Sequence, residues 1–223
     1  MLYLANPSTA GVRNAMAVGQ LGAIMSPRQG NRLPDAALFA IDNNCGPGKN
    51  GQPGTAYPGD EHYIGLLHDL ADAEAADPCD PDSRWCLFAA APDVVGDAAA
   101  TLHRSQRMLD WIRYAGFPAA LVAQDGLENL TVPWDDLDAL FIGGSTSWKL
   151  GAAARELAAE ANRRSKWVHM GRVNSLKRLR YADAIGCDSA DGTYLTYAPD
   201  SNLPRLLGWL REIHSQTALW AAA

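Results

Sequence analysis

The alternation of short apolar runs with longer amphipathic stretches constrains the fold of this chain more than any other feature of its sequence. Eight runs have the length and composition of buried strands, and most are followed by a stretch with helical periodicity. They are LYLA (2–5), GAIMS (22–26), ALFAID (37–42), CLFAAA (86–91), AALVA (119–123), ALFIGG (139–144), KWVHMG (166–171) and AIGCDS (184–189). Apolar strands that alternate with helices predict a parallel sheet covered on both sides.

Eight such units predict a closed (β/α)8 barrel, the TIM-barrel architecture of the α/β class. The chain has 223 residues, of which 48% are hydrophobic, so it can bury a sizeable core. No repeat or linker divides it, although the second and fifth crossovers look short. We therefore expect one compact TIM-barrel domain over residues 1–223.

The sequence also predicts where the chain resides. No apolar stretch approaches the roughly 20 residues that a membrane span needs. The first apolar run lacks a preceding basic segment, so we expect no secretion signal. The four cysteines, Cys45, Cys79, Cys86 and Cys187, show no zinc-site spacing. These features predict a cytoplasmic protein without a disulfide framework, a membrane partner or a metal site.

Polar residues follow several of the predicted strands, and in a parallel barrel the site lies at the carboxyl ends of the strands. The candidates there are Asp42, Asp93, Gln124, the Gly143-Gly144-Ser145 segment, Arg172 and Asp188. Each aspartate also has a structural interpretation: Asp42 could cap the loop that follows it, Asp93 could cap the next helix, and Asp188 could form a turn. Together they favour a polar pocket at this face.

Two segments have two interpretations each. Gly143 and Gly144 either form a tight turn or let a ligand approach the backbone, and the Ser145-Thr146 pair that follows also fits a phosphate site. The segment 163–180 holds seven of the nineteen Lys and Arg residues in a chain of net charge −6. It is either a solvated helix face or a local surface that attracts phosphates.

A long segment rich in Gly, Pro and Asn, residues 43–60, follows the third strand. Its turn-forming residues predict a loop, and the loop is longer than those of most compact domains. Loops of this length are often functional, so residues 43–60 are a candidate lid over the site.

The motifs FAIDNNCG, AAPDVVGD, VAQDG, FIGGSTSWK, WVHMGRVNS and AIGCDSADGT resemble, in this order, the barrel motifs of the tRNA-guanine transglycosylase superfamily. The similarity is greatest to its phage and bacterial branch, the 7-deazaguanine DNA transglycosylases. It extends from the third strand to the eighth, and the order of the motifs carries it. The resemblance implies a barrel that exchanges guanine in DNA for a free 7-deazaguanine base, without a cofactor. For a phage-encoded enzyme it implies the host cytoplasm.

The resemblance also implies roles for individual residues. Asp188 matches the aspartate nucleophile that attacks the sugar C1′, and Asp42 matches the general acid/base. Asp93 and Gln124 match the side chains that read the edge of the base, and Gly143 and Gly144 match the glycine edge that meets it. Ser145, which follows them, is a further candidate for binding the substrate. Arg172, Lys177 and Arg178 are the candidates for gripping nucleic-acid phosphates. The chemistry suits these residue types, because displacement at an anomeric carbon needs a carboxylate and an acid for the leaving group.

Two features depart from the tRNA enzymes. No cysteine follows Cys187, so we expect neither the zinc-binding insertion of those enzymes nor their appended RNA-binding domain. The Asp42-Asn43-Asn44-Cys45-Gly46 sequence replaces the usual Asp-Ser-Gly-Gly. Three alternatives stay open: exchange or hydrolysis of a nucleoside or tRNA base, a non-catalytic protein that binds 7-deazaguanine, and an unrelated barrel that binds a phosphosugar at Gly143–Thr146.

Overall fold

The computed structural model describes residues 1–27, 30, 32–35, 37–45, 57–74 and 86–221. Eight parallel strands close into a barrel in which each strand pairs with its neighbours in chain order and β8 pairs with β1. The strands are β1 Leu2–Ala5, β2 Gly22–Met25, β3 Phe39–Ile41, β4 Cys86–Ala90, β5 Ala119–Ala123, β6 Ala139–Ile142, β7 Trp167–Met170 and β8 Ser189–Asp191. The predicted (β/α)8 barrel is confirmed.

Seven α-helices cover the barrel within the described residues. They are α1 Ala10–Ala17, α2 Asp60–Glu74, α3 Ala98–Tyr114, α4 Thr146–Lys149, α5 Ala152–Arg163, α6 Leu176–Ala184 and α7 Pro199–Ala221. Local caps explain several starts: the Thr9, Asp97 and Ser175 side chains accept from backbone N–H groups in the first turns of α1, α3 and α6. The stretch after β6 forms two helices, the short α4 and the alanine-rich α5.

The barrel interior is packed with side chains from alternate strand positions. An apolar cluster of Leu4, Ala40, Phe88, Ala120 and Ala139 fills it. A larger cluster lies between the strands and the surrounding helices. The apolar interior leaves the polar strand ends as the part of the barrel available for chemistry.

The eighth strand differs from its prediction. Residues 184–189 were predicted to form it, but α6 continues to Ala184, a turn follows, and β8 begins only at Ser189. Ile185 and Gly186 close the helix through bonds to Tyr181 and Asp183. The strand is therefore displaced toward the carboxyl terminus, which changes the end of the barrel at which Asp188 lies.

Two further predictions concern segments that are incompletely described. Residues 46–56 of the predicted lid, and Cys79, lie outside the described residues. Cys45 and Cys187 are free thiols. Within the described ranges, none of the helices combines the length and apolar character needed to cross a membrane.

Candidate active site

A cavity of about 180 Å³ opens among the strand ends on the carboxyl side of the barrel. This volume is small beside the roughly 300–1,000 Å³ of pockets for drug-sized ligands. Five predicted site residues line it: Asp42, Asp93, Gln124, Gly143 and Arg172. They follow β3, β4, β5, β6 and β7, so the parallel barrel gathers residues that are up to 130 positions apart (172 − 42) in the sequence.

The Asp93 carboxylate is held in a fixed orientation by two amides. Gln124 Nε2 donates to Asp93 Oδ2 at 2.6 Å, and Asn43 Nδ2 donates to Asp93 Oδ1 at 2.9 Å. Gln124 Oε1 in turn accepts from Gly96 N at 2.9 Å. Burial raises the pKa of Asp93, and the hydrogen bonds from Asn43, Cys45 and Gln124 oppose this shift. A carboxylate has about four lone-pair positions, so Asp93 keeps the capacity to accept from a ligand.

Among the carboxyl groups that line the cavity, Asp42 has the largest shift in pKa. Burial, followed by the charge of Asp191, raises the pKa of Asp42 to about 7. Asp93 adds a smaller effect in the same direction, and the backbone N–H groups of Asn43 and Asn44 oppose it. A carboxyl group with a pKa near neutrality can both give and take a proton, which is the property of a general acid/base.

Asp188 does not lie at the cavity, and its predicted position is wrong. Asp188 precedes β8 by one residue, at the amino end of the barrel, where Asp188 Oδ2 accepts from Val168 N at 2.8 Å. Its backbone also joins β7 and β1, through Asp188 N to Val168 O and Leu2 N to Asp188 O, both 2.8 Å. Since β8 runs away from this end, a side chain at 188 cannot face the carboxyl-side cavity.

Asp191 occupies the position that sequence analysis gave to Asp188. It ends β8 at the carboxyl side and lines the cavity with Asp42 and Asp93. Its Val173 N to Asp191 O bond of 2.6 Å joins it to the segment after β7. The sequence signal was the second aspartate of CDSAD, three residues after the first, and it was missed because the strand boundary was placed too early.

A chain of hydrogen bonds through the barrel core ends at Asp191. Trp167 Nε1 donates to Ser189 Oγ at 2.8 Å, Ser189 Oγ bonds His169 Nδ1 at 2.8 Å, and His169 Nε2 bonds Asp191 Oδ1 at 3.0 Å. The Trp167 indole can only donate, so the Ser189 hydroxyl accepts from it and can donate its own proton to His169 Nδ1. The imidazole proton of His169 is then on Nε2, from which it is donated to Asp191 Oδ1.

His169 is fully buried between two aromatic rings. Its ring centroid lies 4.4 Å from that of Phe141 and 5.0 Å from that of Phe88. The enclosure restricts the movement of the imidazole, so its hydrogen bond restrains the Asp191 carboxylate. Sequence analysis missed His169, although a histidine inside an apolar strand is an unusual residue for a core.

The glycine pair is required by packing and turn geometry. A Cβ on Gly143 would lie 2.7 Å from Val122 Cγ1 and 3.0 Å from Gln124 Nε2. Gly144 has φ +41°, and its Cβ would lie 2.3 Å from the Trp148 ring. The Gly143 N–H is bonded to Ala123 O at 3.0 Å, so that amide is not free for a base.

Ser145 serves the turn after β6. Ser145 N donates to Asp125 Oδ2 at 2.6 Å, and its hydroxyl donates to Asp125 Oδ1 at 2.5 Å while capping α4 at Trp148 N. The Asp125 carboxylate thus occupies the position that a phosphate would take at this helix start. The interpretation of Gly143–Thr146 as a phosphate site loses its support, as does a role for Ser145 at the cavity.

Most of the basic segment 163–180 makes contacts within the protein. Arg163 and Arg164 pair with Glu160, and Arg180 pairs with Glu212. The Arg172 guanidinium donates to the carbonyls of Gly143 and Gly144, and Arg178 Nη1 donates to Arg172 O at 3.3 Å. Lys177 is exposed and has no ion pair among the described residues. The phosphate-binding roles of Arg172, Lys177 and Arg178 stay a prediction, which now rests on fewer free charges.

The fold and the site together define a single-domain (β/α)8 barrel with three aspartates around a small cavity at its carboxyl face. Within the described ranges, no group of three His, Cys, Asp or Glu side chains is arranged to hold a metal ion.

Comparison with known proteins adds information on the fold. No family model matches the chain, and no curated protein sequence matches it significantly. A cube-shaped, highly porous protein cage, designed by fusing symmetric oligomeric domains, is similar in structure with a TM-score of 0.51 and 14% identity, over 99% of this chain and 75% of the cage chain.

Two other solved structures have lower TM-scores. The Bacillus subtilis YkuI protein, with an EAL domain and solved with c-di-GMP and calcium, gives a TM-score of 0.41 and 14% identity over 83% of this chain and 46% of that one. The FimX EAL domain of Pseudomonas aeruginosa, bound to c-di-GMP, gives a TM-score of 0.40 and 16% identity. The match covers 83% of this chain and 65% of the FimX chain. This chain thus spans about half the length of the YkuI chain and about two thirds of the FimX chain.

Proposed function

We propose that this protein is a base-exchange glycosyltransferase that replaces guanine in DNA with a 7-deazaguanine base, through a glycosyl-enzyme intermediate on Asp191. The observation that carries the proposal is the meeting of Asp42 and Asp191 at one cavity, where their environments differ. Burial and the neighbouring Asp191 charge raise the pKa of Asp42 to about 7, while His169 holds Asp191 by a hydrogen bond. Two carboxyl groups with separate environments can take the separate roles of acid and nucleophile.

The first half of the reaction releases guanine. An Asp191 carboxylate oxygen attacks the deoxyribose C1′, the bond from C1′ to the guanine ring nitrogen breaks, and the electron pair leaves with the base. Asp42 donates its proton to the departing guanine, and the sugar remains bound to Asp191 as an ester. An acid at the leaving group contributes about 10²–10⁴-fold to such a step.

The second half reverses these events with a different base. The ring N–H of the incoming 7-deazaguanine gives its proton to the Asp42 carboxylate, the ring nitrogen attacks C1′, and the ester bond to Asp191 breaks. Asp42 and Asp191 thereby return to their starting states. One acid/base and one nucleophile are sufficient, and no further reactant is consumed.

The Asp93–Gln124 pair supports recognition of a guanine-like edge. Such an edge presents a ring N–H and an amino group, which need an acceptor, beside a carbonyl, which needs a donor. Asp93 accepts, and Gln124 Nε2 carries a second N–H beyond the one that it gives to Asp93. Because Asn43 and Gly96 fix the two side chains, their orientation is set before a base binds.

The test uses guanine-containing DNA and an isotopically labelled 7-deazaguanine base. We expect the wild-type protein to incorporate the label and to release one guanine for each base inserted. Acid quenching during turnover should trap a covalent DNA–protein adduct at Asp191, found by mass spectrometry. Absence of both label and adduct, across single-stranded and duplex DNA, would reject the proposal.

A second candidate is exchange or hydrolysis of the base of a small nucleoside. The pairing of Arg163, Arg164 and Arg180 with glutamates favours it, because paired arginines attract phosphates less. The salt dependence of binding separates the two candidates. For DNA, log Kd rises linearly with the logarithm of the salt concentration, and for a nucleoside it does not. For DNA, Lys177→Ala should reduce that slope by about one, and Arg180→Ala, which removes a paired charge, serves as the matched control.

A further inference from the structure

Lys149 is a lysine in a position where lysine is costly. It ends the short helix α4, and only 1% of it is exposed, whereas the neighbouring Leu150 is 38% exposed. An ammonium group taken out of water loses much free energy of hydration unless a partner replaces it. Among the described residues no carboxylate lies within ion-pair distance of Lys149 Nζ, so folding alone does not account for a charge at this position.

The partner of Lys149 is a backbone carbonyl at the wall of the cavity. Lys149 Nζ donates to Gly171 O at 2.6 Å. Gly171 follows β7 and lines the cavity, and a Cβ built on it would lie 3.3 Å from Asp191 Oδ1 and 2.7 Å from the Phe141 ring. Gly171 therefore bonds the buried ammonium through its carbonyl and leaves little space between its backbone and the carboxylate to which we assign the attack.

The bond to Lys149 also fixes the peptide that joins Gly171 to Arg172. In a planar trans peptide the C=O and the N–H point in opposite directions. With Gly171 O held by Lys149, the N–H of Arg172 points away from the lysine, and no described residue accepts a hydrogen bond from it. Arg172 has φ +61°, an uncommon conformation for a residue with a side chain. The hydrogen bond from Lys149 to Gly171 O helps to hold the peptide in this conformation.

The charged groups that face Lys149 come from three places in the chain. Arg172, between β7 and α6, and Arg178, in the first turn of α6, disfavour its charged form, and Asp191 at the end of β8 favours it. Burial is the largest effect, and the sum lowers the pKa of Lys149 to about 8. The ammonium is thus the predominant form at neutral pH and is lost in mildly alkaline solution.

We propose that Lys149 is a positioning residue for the transfer reaction: it fixes the Gly171–Arg172 peptide against Asp191, and its charge stabilises the Asp191 carboxylate before attack and when it leaves the sugar. The inference rests on the proposed function and adds a residue to it. Because Lys149 is enclosed, it touches neither the base nor the sugar, and it acts only through Gly171 and its charge.

The test compares Lys149→Met, which keeps the length of the side chain and removes its charge, with Lys149→Arg and with Lys166→Met. Lys166 precedes β7 at the opposite end of the barrel, so it controls for the loss of a lysine. We expect Lys149→Met to lower kcat for base exchange by about 10²-fold, with little change in the KM for the base. Lys149→Arg should restore part of kcat if it folds, and Lys166→Met should retain the wild-type kcat.

The pH profile provides a readout that a purely structural role would not change. Above pH 8 the wild-type log rate should fall with a slope of about −2, because Asp42 and Lys149 both lose protons, and Lys149→Met should fall with a slope of about −1. A folded Lys149→Met with wild-type kcat and slope would overturn this inference and leave the proposed function standing. Wild-type protein without any exchange would overturn both.

Discussion

Two aspartates three residues apart, Asp188 and Asp191, lie at opposite ends of the last barrel strand. Asp188 lies at the amino end, where it accepts from Val168 N and helps to join β7, β8 and β1. Asp191 lies at the carboxyl end, where it lines the cavity and bonds His169. The two residues have the same side chain and flank or end the same strand, yet one joins neighbouring strands and the other lines the cavity.

The difference shows that position along a strand decides the role of a polar residue in this fold. At the amino end, the carboxylate is used to satisfy a backbone N–H between strands. At the carboxyl end, side chains that follow several strands converge on the cavity. The predicted role of a carboxylate therefore depends on where the strand boundary is placed. An error of a few residues in that boundary moves the carboxylate from one end of the barrel to the other.

The largest effect should come from replacing Asp191. Asp191→Asn removes the carboxylate to which we assign the attack and keeps the size of the side chain, so the proposed function predicts that base exchange falls by at least about 10⁴-fold. Rates are measured by release of guanine from DNA in a single turnover. Asp188→Asn is the matched variant and should retain wild-type exchange. If Asp188→Asn abolished exchange in folded protein and Asp191→Asn did not, the assignment of the two ends would be wrong.

Asp42→Asn should have the next largest effect, a loss of about 10²–10⁴-fold in guanine release. In the wild type, release should slow as the pH rises through the Asp42 pKa of about 7, because the acid loses its proton, and the variant should lack this dependence. The folded pKa lies above the unfolded value of 3.8, so the contribution of Asp42 to stability is lost as the pH rises through about 7. Asp42→Asn should therefore raise the melting temperature more at pH 8 than at pH 5, and an equal change at both would contradict the shift.

His169→Phe should lower exchange by about 10- to 100-fold, the usual cost of removing a residue that orients a reacting group. Phenylalanine keeps an aromatic ring beside Phe88 and Phe141 but cannot bond Asp191, so the loss should appear in kcat and not in the KM for the base. Ser189→Ala removes the next link and should have a smaller effect of the same kind. A change confined to KM would indicate that His169 serves base binding instead.

The smallest effect should be the loss of stability in Asp188→Ala. This variant leaves Val168 N without its side-chain acceptor, which costs about 1 kcal/mol. For a chain of this size the melting temperature should fall by about 2–4 °C, with unchanged exchange in the folded protein. Calorimetry measures the melting temperature, and an exchange assay on the folded protein measures the activity, so the two effects are observed separately. A loss of exchange without a loss of stability would assign Asp188 to the chemistry after all.

The fold was predictable from sequence because buried strands are short apolar runs, and six of the eight began within one residue of their predicted starts. The third strand started two residues late. The eighth failed because its run, AIGCDS, is no more apolar than the helix end that it overlaps. The candidate site was predictable in part, since Asp42, Asp93 and Gln124 each directly follow a run or lie close behind one.

The sequence by itself determined the parallel barrel and the collection of acids and amides at its strand ends, because periodicity and residue type are properties of the chain. Only the tertiary structure decided which aspartate faces the cavity, that His169 holds it, and that Lys149 points inward while Leu150 points out. It also decided that the glycine pair serves packing against Val122 and Trp148. These are contacts between residues distant in sequence, and their geometry exists only after the barrel has closed.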